Sequence, residues 1–196
     1  MKRLFDLIAS LLILILTLPI FLCIVGLIKF HMGGNIFFFQ KRIGFQNKEF
    51  NLIKFRTMAN NDLSDDERIT KLGLVLRNTS LDEIPELINV IKGEMSLVGP
   101  RPLLPEYLQY YNCEEIKRHN VKPGITGWAQ INGRESLTWE QKFGYDLFYV
   151  NNHTFFFDFK ILMITFFKVI NRKDVMSKDG KIQKKFYRKK IRYKKY

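Results

Sequence analysis

The hydrophobic pattern divides the chain unevenly. Leu7 to Ile28 is a run of 22 residues without a charge, and at about 1.5 Å per residue a helix of that length just crosses a hydrocarbon core of about 30 Å. Pro19 sits inside the run, where it removes a backbone hydrogen bond and kinks a helix. Cations flank both ends, Lys2 and Arg3 before the run and Lys29, Lys41 and Arg42 after it, so the positive-inside rule assigns no clear orientation. A spanning helix and a helix that returns to the face it entered both stay open on these residues. Asp6 and Ser10 fit an end held at the interface, since a carboxylate deeper in lipid needs a partner. A cleaved signal peptide fits poorly, because the run is long and no small-x-small pattern precedes Lys29.

Beyond the run the periodicity changes. Asn35 to Gln40 and Glu49 to Met58 are β-branched or aromatic stretches around a polar turn containing Gly44, which predicts a hairpin or two short strands. Helical spacing follows over Asp62 to Leu76, Ser80 to Lys92, Pro105 to Asn120, Trp139 to Asn151 and Phe155 to Ile170. The last packs six phenylalanines into 16 residues among Asp158, Lys160 and Lys168, too short and too charged to span. It suits an interfacial helix and a buried core helix equally. The expected fold class is α+β, mostly helical, with short strands.

Composition narrows the functional classes. A chain of 196 residues with 46% apolar residues supplies one domain with a real core. Two cysteines, Cys23 and Cys113, indicate neither a disulfide framework nor a paired-cysteine metal site. The net charge of +13 resembles a nucleic-acid footprint, but residues 168–196 hold 13 Lys and Arg against two Asp, and the preceding residues balance at 19 basic against 17 acidic. The excess is a property of the tail, which suits anionic lipid headgroups, and no nucleic-acid partner is expected.

The chemistry concentrates at Ser80-Leu81-Asp82-Glu83-Ile84-Pro85. Ser80 followed by Glu83 matches a capping box, and capping alone accounts for both carboxylates. The surrounding cations add a second possibility: Lys54 and Arg56 end the second strand, Arg77 precedes the dyad, and Arg101 lies between Pro100 and Pro102. Flanking prolines restrict the backbone and aim a planar guanidinium in one direction, as bidentate phosphate contact requires. A third block, Pro123 to Arg134, offers glycines at 124, 127 and 133 for close approach to a ligand, with Trp128, Gln130, Asn132 and Arg134 as polar or stacking groups. A glycine-rich turn holding tertiary structure is the alternative there. His31, His119 and His153 are scattered and form no zinc pair.

These blocks carry a resemblance. Lys54-Phe55-Arg56-Thr57-Met58, Ser80 to Leu87, Met95-Ser96-Leu97-Val98-Gly99-Pro100-Arg101-Pro102 and Pro123 to Arg134, in that order, resemble the monotopic bacterial phosphoglycosyl transferases, the bacterial sugar transferase family, and among them the short PglC type. The resemblance runs from Lys2-Arg3-x-x-Asp6 to about Phe186. It implies transfer of a phosphosugar from a UDP-sugar to undecaprenyl (polyprenyl) phosphate with release of UMP, in two steps. Asp82 is then the nucleophile and a ligand of Mg²⁺, with Glu83 assisting as proton acceptor or through the metal. Arg101 holds the phosphates, Arg77 supports them or the active-site end of the helix, and Arg134 and Lys54 contact the nucleotide sugar.

The resemblance also implies a membrane anchor over residues 1–30 built as a Pro-kinked re-entrant helix, a catalytic domain over 31–170 and a basic tail over 171–196. The active site then faces the cytoplasm at the bacterial inner membrane. The short members carry Ser-Pro at the break, whereas this chain has Thr17-Leu18-Pro19, displacing the hydroxyl by one residue. The sugar stays open, as does pairing into a homodimer or with other glycan-pathway enzymes. A membrane-bound nucleotide-sugar pyrophosphatase would use the same cations and Mg²⁺ but deliver water.

Overall fold

The computed structural model describes residues 1–60, 64, 67–133, 136–171 and 186. Helix α1 runs over Lys2–Met32 with Pro19 inside it. Thr17 Oγ1 donates to the Ile13 carbonyl at 2.7 Å, so the displaced hydroxyl bonds backbone one turn before the proline. Both ends of α1 are bound to the rest of the fold. Near its start, Arg3 donates to the Val90 and Ile91 carbonyls, Asp6 accepts from Ser96 Oγ at 2.8 Å and from Leu97 N, and Lys2 pairs with Asp158. Near its end, Ile24 and Ile28 are buried with Phe55 and Leu76. Between these anchor points, Leu4, Ile8, Leu12, Ile15 and Leu16 remain exposed.

The expected hairpin forms from β1 (Phe37–Ile43) and β2 (Glu49–Phe55), antiparallel with Phe38 opposite Lys54. The helical expectations fared unevenly. Helix α2 covers Lys71–Asn78 with Thr70 as its N-cap, accepting from Gly73 N at 2.9 Å. Residues 67–70 form a turn and a bridge rather than helix, and most of the earlier part of that expected helix lies outside the described residues.

The stretch from Ser80 to Lys92 is not one helix. Leu81–Glu83 is a single 3₁₀ turn, and α3 (Glu86–Lys92) begins only after Pro85. Pro105–Tyr110 and Glu115–Asn120 are likewise 3₁₀ segments separated by extended Tyr111. Helices α5 (Trp139–Asn152) and α6 (Phe155–Ile170) agree with the periodicity, each capped by a threonine.

A short parallel pairing of β3 (Ser96–Val98) with β4 (Gly124–Thr126) went unread in the sequence, as did the four-residue helix α4 (Trp128–Ile131). The glycines of this region serve the chain itself. A Cβ on Gly124 would lie 2.1 Å from Gly99 N, and one on Gly127 would lie 2.1 Å from Gly99 O. These positions allow two backbone segments to touch, which answers for both glycines without a ligand.

The main core joins Phe50 and Leu52 of β2, Leu87 and Val90 of α3, Leu97 and Val98 of β3, and Ile131, Tyr149 and Ile161. Asn89, fully buried, locks α3 to β2: its Oδ1 accepts from Ile53 N at 3.0 Å and its Nδ2 donates to the Asn51 carbonyl at 2.8 Å. That link fixes the strand carrying Lys54 against the helix that follows the dyad. Phe186, inside the expected tail, is buried among Tyr107, Tyr110, Tyr111, Trp139 and Phe143.

Candidate active site

The 3₁₀ turn before α3 projects Asp82 and Glu83 toward the end of β2. Its geometry departs from the capping-box expectation. Ser80 adopts φ 56°, ψ 18°, and its side chain makes no cap bond. A non-glycine residue in the left-handed region is uncommon outside sites where surrounding structure enforces it. Here it turns the chain from α2 into the dyad, and the dyad precedes the α3 N-terminus instead of sitting within its first turn.

Lys54 reaches this turn from β2. Its Nζ lies 2.7 Å from Glu83 Oε1, 3.1 Å from Glu86 Oε1 and 3.9 Å from Asp82 Oδ2. Arg101 Nη2 approaches the same Glu83 oxygen at 3.1 Å. Arg77 is half-buried and donates from Nε to Thr57 Oγ1 at 3.0 Å, and its charge favours the ionised form of Asp82. Five expected residues, Asp82, Glu83, Lys54, Arg101 and Arg77, therefore gather in one region. Arg134 lies outside the described residues.

Three carboxylates around one buried ammonium set the electrostatics. Burial is the main cause that pushes the Asp82 carboxyl up to about 6, with Glu83 adding to it while Lys54, Arg77 and Arg101 oppose. Burial likewise pushes Glu86 up to about 7, against Lys54. Burial alone would depress the Lys54 ammonium, but Glu83 and Glu86 together outweigh it and its pKa is raised. The lysine thus stays charged, and Asp82 and Glu86 are the groups pushed up toward neutrality.

Arg101 is positioned from behind. Its carbonyl accepts from Arg118 Nη2 at 2.7 Å, and Arg118 is in turn held by Asp146 Oδ2 at 2.7 and 3.0 Å, with all but a few per cent of both side chains buried. Its own side chain remains 44% exposed, so the guanidinium can reach a ligand while its backbone is fixed. Sequence reading missed Arg118, Asp146 and Glu86. Only Glu86 left a local trace, one helical turn beyond Asp82. The Pro123–Arg134 block is less open than expected, since Trp128 packs on Phe157 and Phe148 and Gln130 is buried.

Comparison with known proteins shows the family of the chain. The bacterial sugar transferase family matches residues 1–172. A protein described as an uncharacterized sugar transferase, EpsL of Bacillus subtilis (strain 168), is 49% identical over 176 residues, covering 87% of each chain. The exopolysaccharide production protein ExoY of Rhizobium meliloti (strain 1021) is 37% identical over 187 residues, 84% of this chain and 83% of that one. The UDP-glucose:undecaprenyl-phosphate glucose-1-phosphate transferase of Escherichia coli (strain K12) is 42% identical over 184 residues, which are 86% of this chain but 40% of that larger protein. The chain belongs to the bacterial sugar transferase family.

Proposed function

We propose that the chain is a phosphoglycosyl transferase that moves a sugar phosphate from a UDP-sugar to a polyprenyl phosphate and releases UMP. The observation that carries this reading is the Asp82–Glu83 turn held between Lys54 and Arg101, on a chain that shares 42% identity with a transferase of that reaction. In the first step an Asp82 oxygen attacks the β-phosphorus, the bond from that phosphorus to the UMP oxygen breaks, and UMP departs. In the second, a lipid phosphate oxygen attacks the same phosphorus and the bond to Asp82 breaks. A covalent carboxyl phosphate keeps the two anionic substrates from having to meet directly.

Glu83 is tied to two cations, and incoming phosphates compete with it for Arg101. Drawing Arg101 onto phosphate loosens one tie and makes Glu83 available to accept a proton. Asp82 and Glu83 supply hard oxygen donors of the kind Mg²⁺ takes. When bound, it neutralises phosphate oxygens that would repel the carboxylate.

Helix α1 fits a re-entrant anchor at the cytoplasmic face of the inner membrane. Its Lys2–Arg3–Asp6 end binds α3, β3 and α6 and its Ile24–Ile28 end packs on β2 and α2, so both ends are held by the same folded domain while the apolar side between them is exposed. Exposed Phe156, Phe159, Phe166 and Phe167 on α6 extend that apolar surface. Cysteine labels at positions 2 and 41 should both react from the cytoplasmic side only. Reaction from opposite sides would mean a spanning helix.

The reaction is tested with radiolabelled UDP-sugars, UDP-glucose first, and undecaprenyl phosphate. The expected products are UMP and lipid-linked diphosphosugar, formed only when the lipid is present beyond a single turnover. Sustained production of free sugar phosphate and UMP without lipid would instead identify a pyrophosphatase.

A further inference from the structure

Glu86 has no place in the reaction just described, yet it is the most deeply buried carboxylate of the cluster, 3% exposed. It is the first residue of α3, set by Pro85, and its Oε1 lies 3.1 Å from Lys54 Nζ. Leu52 and Pro102 line the recess beside it together with Arg42 and Arg101. Arg42 donates to the Pro102 carbonyl and to Gln40, and its charge acts on Glu86 from outside ion-pair range. A buried carboxylate persists only where a partner offsets its lost hydration. Lys54 is the cation in ion-pair range of Glu86 among the described residues.

Lys54 therefore has two acceptors of different standing. Glu83 accepts at 2.7 Å but belongs to the reacting pair and also holds Arg101. Glu86 sits behind, on a rigid helix start that the Asn89 link ties to β2. When a diphosphate enters, it pulls on both Arg101 and Lys54. Arg101 is 44% exposed and bares no buried charge by shifting, whereas a lysine that followed would leave the buried carboxylates facing one another and the phosphates.

We propose that Glu86 is a positioning residue that keeps the Lys54 ammonium seated beneath Asp82 and Glu83 after substrate phosphates have loosened Glu83. The inference rests on the phosphoglycosyl transfer reading.

The test is Glu86→Gln in the full chain, kept in lipid nanodiscs, with UMP release followed on a UDP-sugar that the wild type consumes. Glutamine preserves shape and an acceptor oxygen but removes the charge. The expected result is a kcat lowered about 10- to 100-fold, the scale of a roughly 1 Å misplacement at a reacting centre, with KM changed by less than about twofold. In a Lys54→Met background the same substitution should add nothing, because residues that act as a unit are not additive.

Should Glu86→Gln alone lower the melting temperature, the double variant deletes both buried charges together. Comparing its kcat with that of Lys54→Met then decides the question. A wild-type kcat in Glu86→Gln, a loss that multiplies with that of Lys54→Met, or a raised KM at unchanged kcat would each overturn the role. Absence of UMP release by the wild type with every UDP-sugar would instead sink the transferase reading itself.

Discussion

Two buried ion clusters lie on either side of Arg101, and they are built on opposite principles. At Arg118, one guanidinium meets one carboxylate, Asp146, through two hydrogen bonds, and the Arg101 carbonyl and Tyr111 hydroxyl accept two more. Charges and hydrogen bonds match, with aromatic rings of Tyr111 and Phe143 close to the guanidinium carbon at 6.0 and 5.8 Å. At Lys54, one ammonium meets three carboxylates, and two of them are pushed up toward neutrality. A balanced pair resists change and serves as a mount. An unbalanced one is poised to exchange partners, protons or cations, which is what a reacting centre needs.

The sharpest separation of the two comes from deleting a carboxylate in each. Asp82→Asn should abolish UMP release and trapping of a phosphosugar adduct, a loss on the order of 10⁴-fold or more, while the melting temperature holds or rises. Retained turnover in that variant would remove Asp82 as nucleophile. Asp146→Ala should do the reverse in kind: it strands a buried arginine and should cost about 3–5 kcal/mol of stability, read by thermal unfolding in detergent. A stability loss below about 1 kcal/mol would mean that the pair behaves as an exposed one.

A smaller effect separates the clusters by pH. With the Asp82 carboxyl near 6, single-turnover UMP release should fall about tenfold per unit below that pH as the nucleophile is protonated. Stability runs the other way. The folded pKa lies above the unfolded value of about 3.9, so the contribution of this group is fully present below about 4 and is lost as pH rises through 6. Acidification from pH 7 to 5 should therefore cost rate without costing stability at this site. A flat rate profile between pH 5 and 8 would place the required protonation state elsewhere. Smallest of all, Lys117→Ala, which removes an exposed partner of Glu114 at 2.7 Å, should change stability by less than about 1 kcal/mol.

How far the sequence carried depends on the range of the interactions involved. The β1–β2 hairpin, α5 and α6 are set by periodicity and local caps such as Thr138 and Thr154, and they were legible. The dyad was legible as a location. Its backbone was not, because the left-handed Ser80 and the break at Pro85 answer to packing between α2, β2 and α3 rather than to a local capping pattern. The β3–β4 pairing joins three residues to three others across the intervening segments, too little for any period to register. Lys54 illustrates the limit at the site: its place at the end of β2 was legible, whereas its ties to Glu83 and Glu86 were not. The glycines of the third block were flagged for close approach to a ligand, and Gly124 and Gly127 bring their backbone against Gly99 of the chain itself.

The two-ended attachment of α1 also imposes an order of events during synthesis. Lys2 emerges first, yet its partner Asp158 follows 156 residues later. At about 5–20 residues per second, the helix waits roughly 8–30 s before that contact exists. Through that interval Lys2 lacks its carboxylate, although Val90 and Ser96, the partners of Arg3 and Asp6, are made well before Asp158. The final seat of Lys2 is therefore decided by the completed domain reaching back for a helix made long before it.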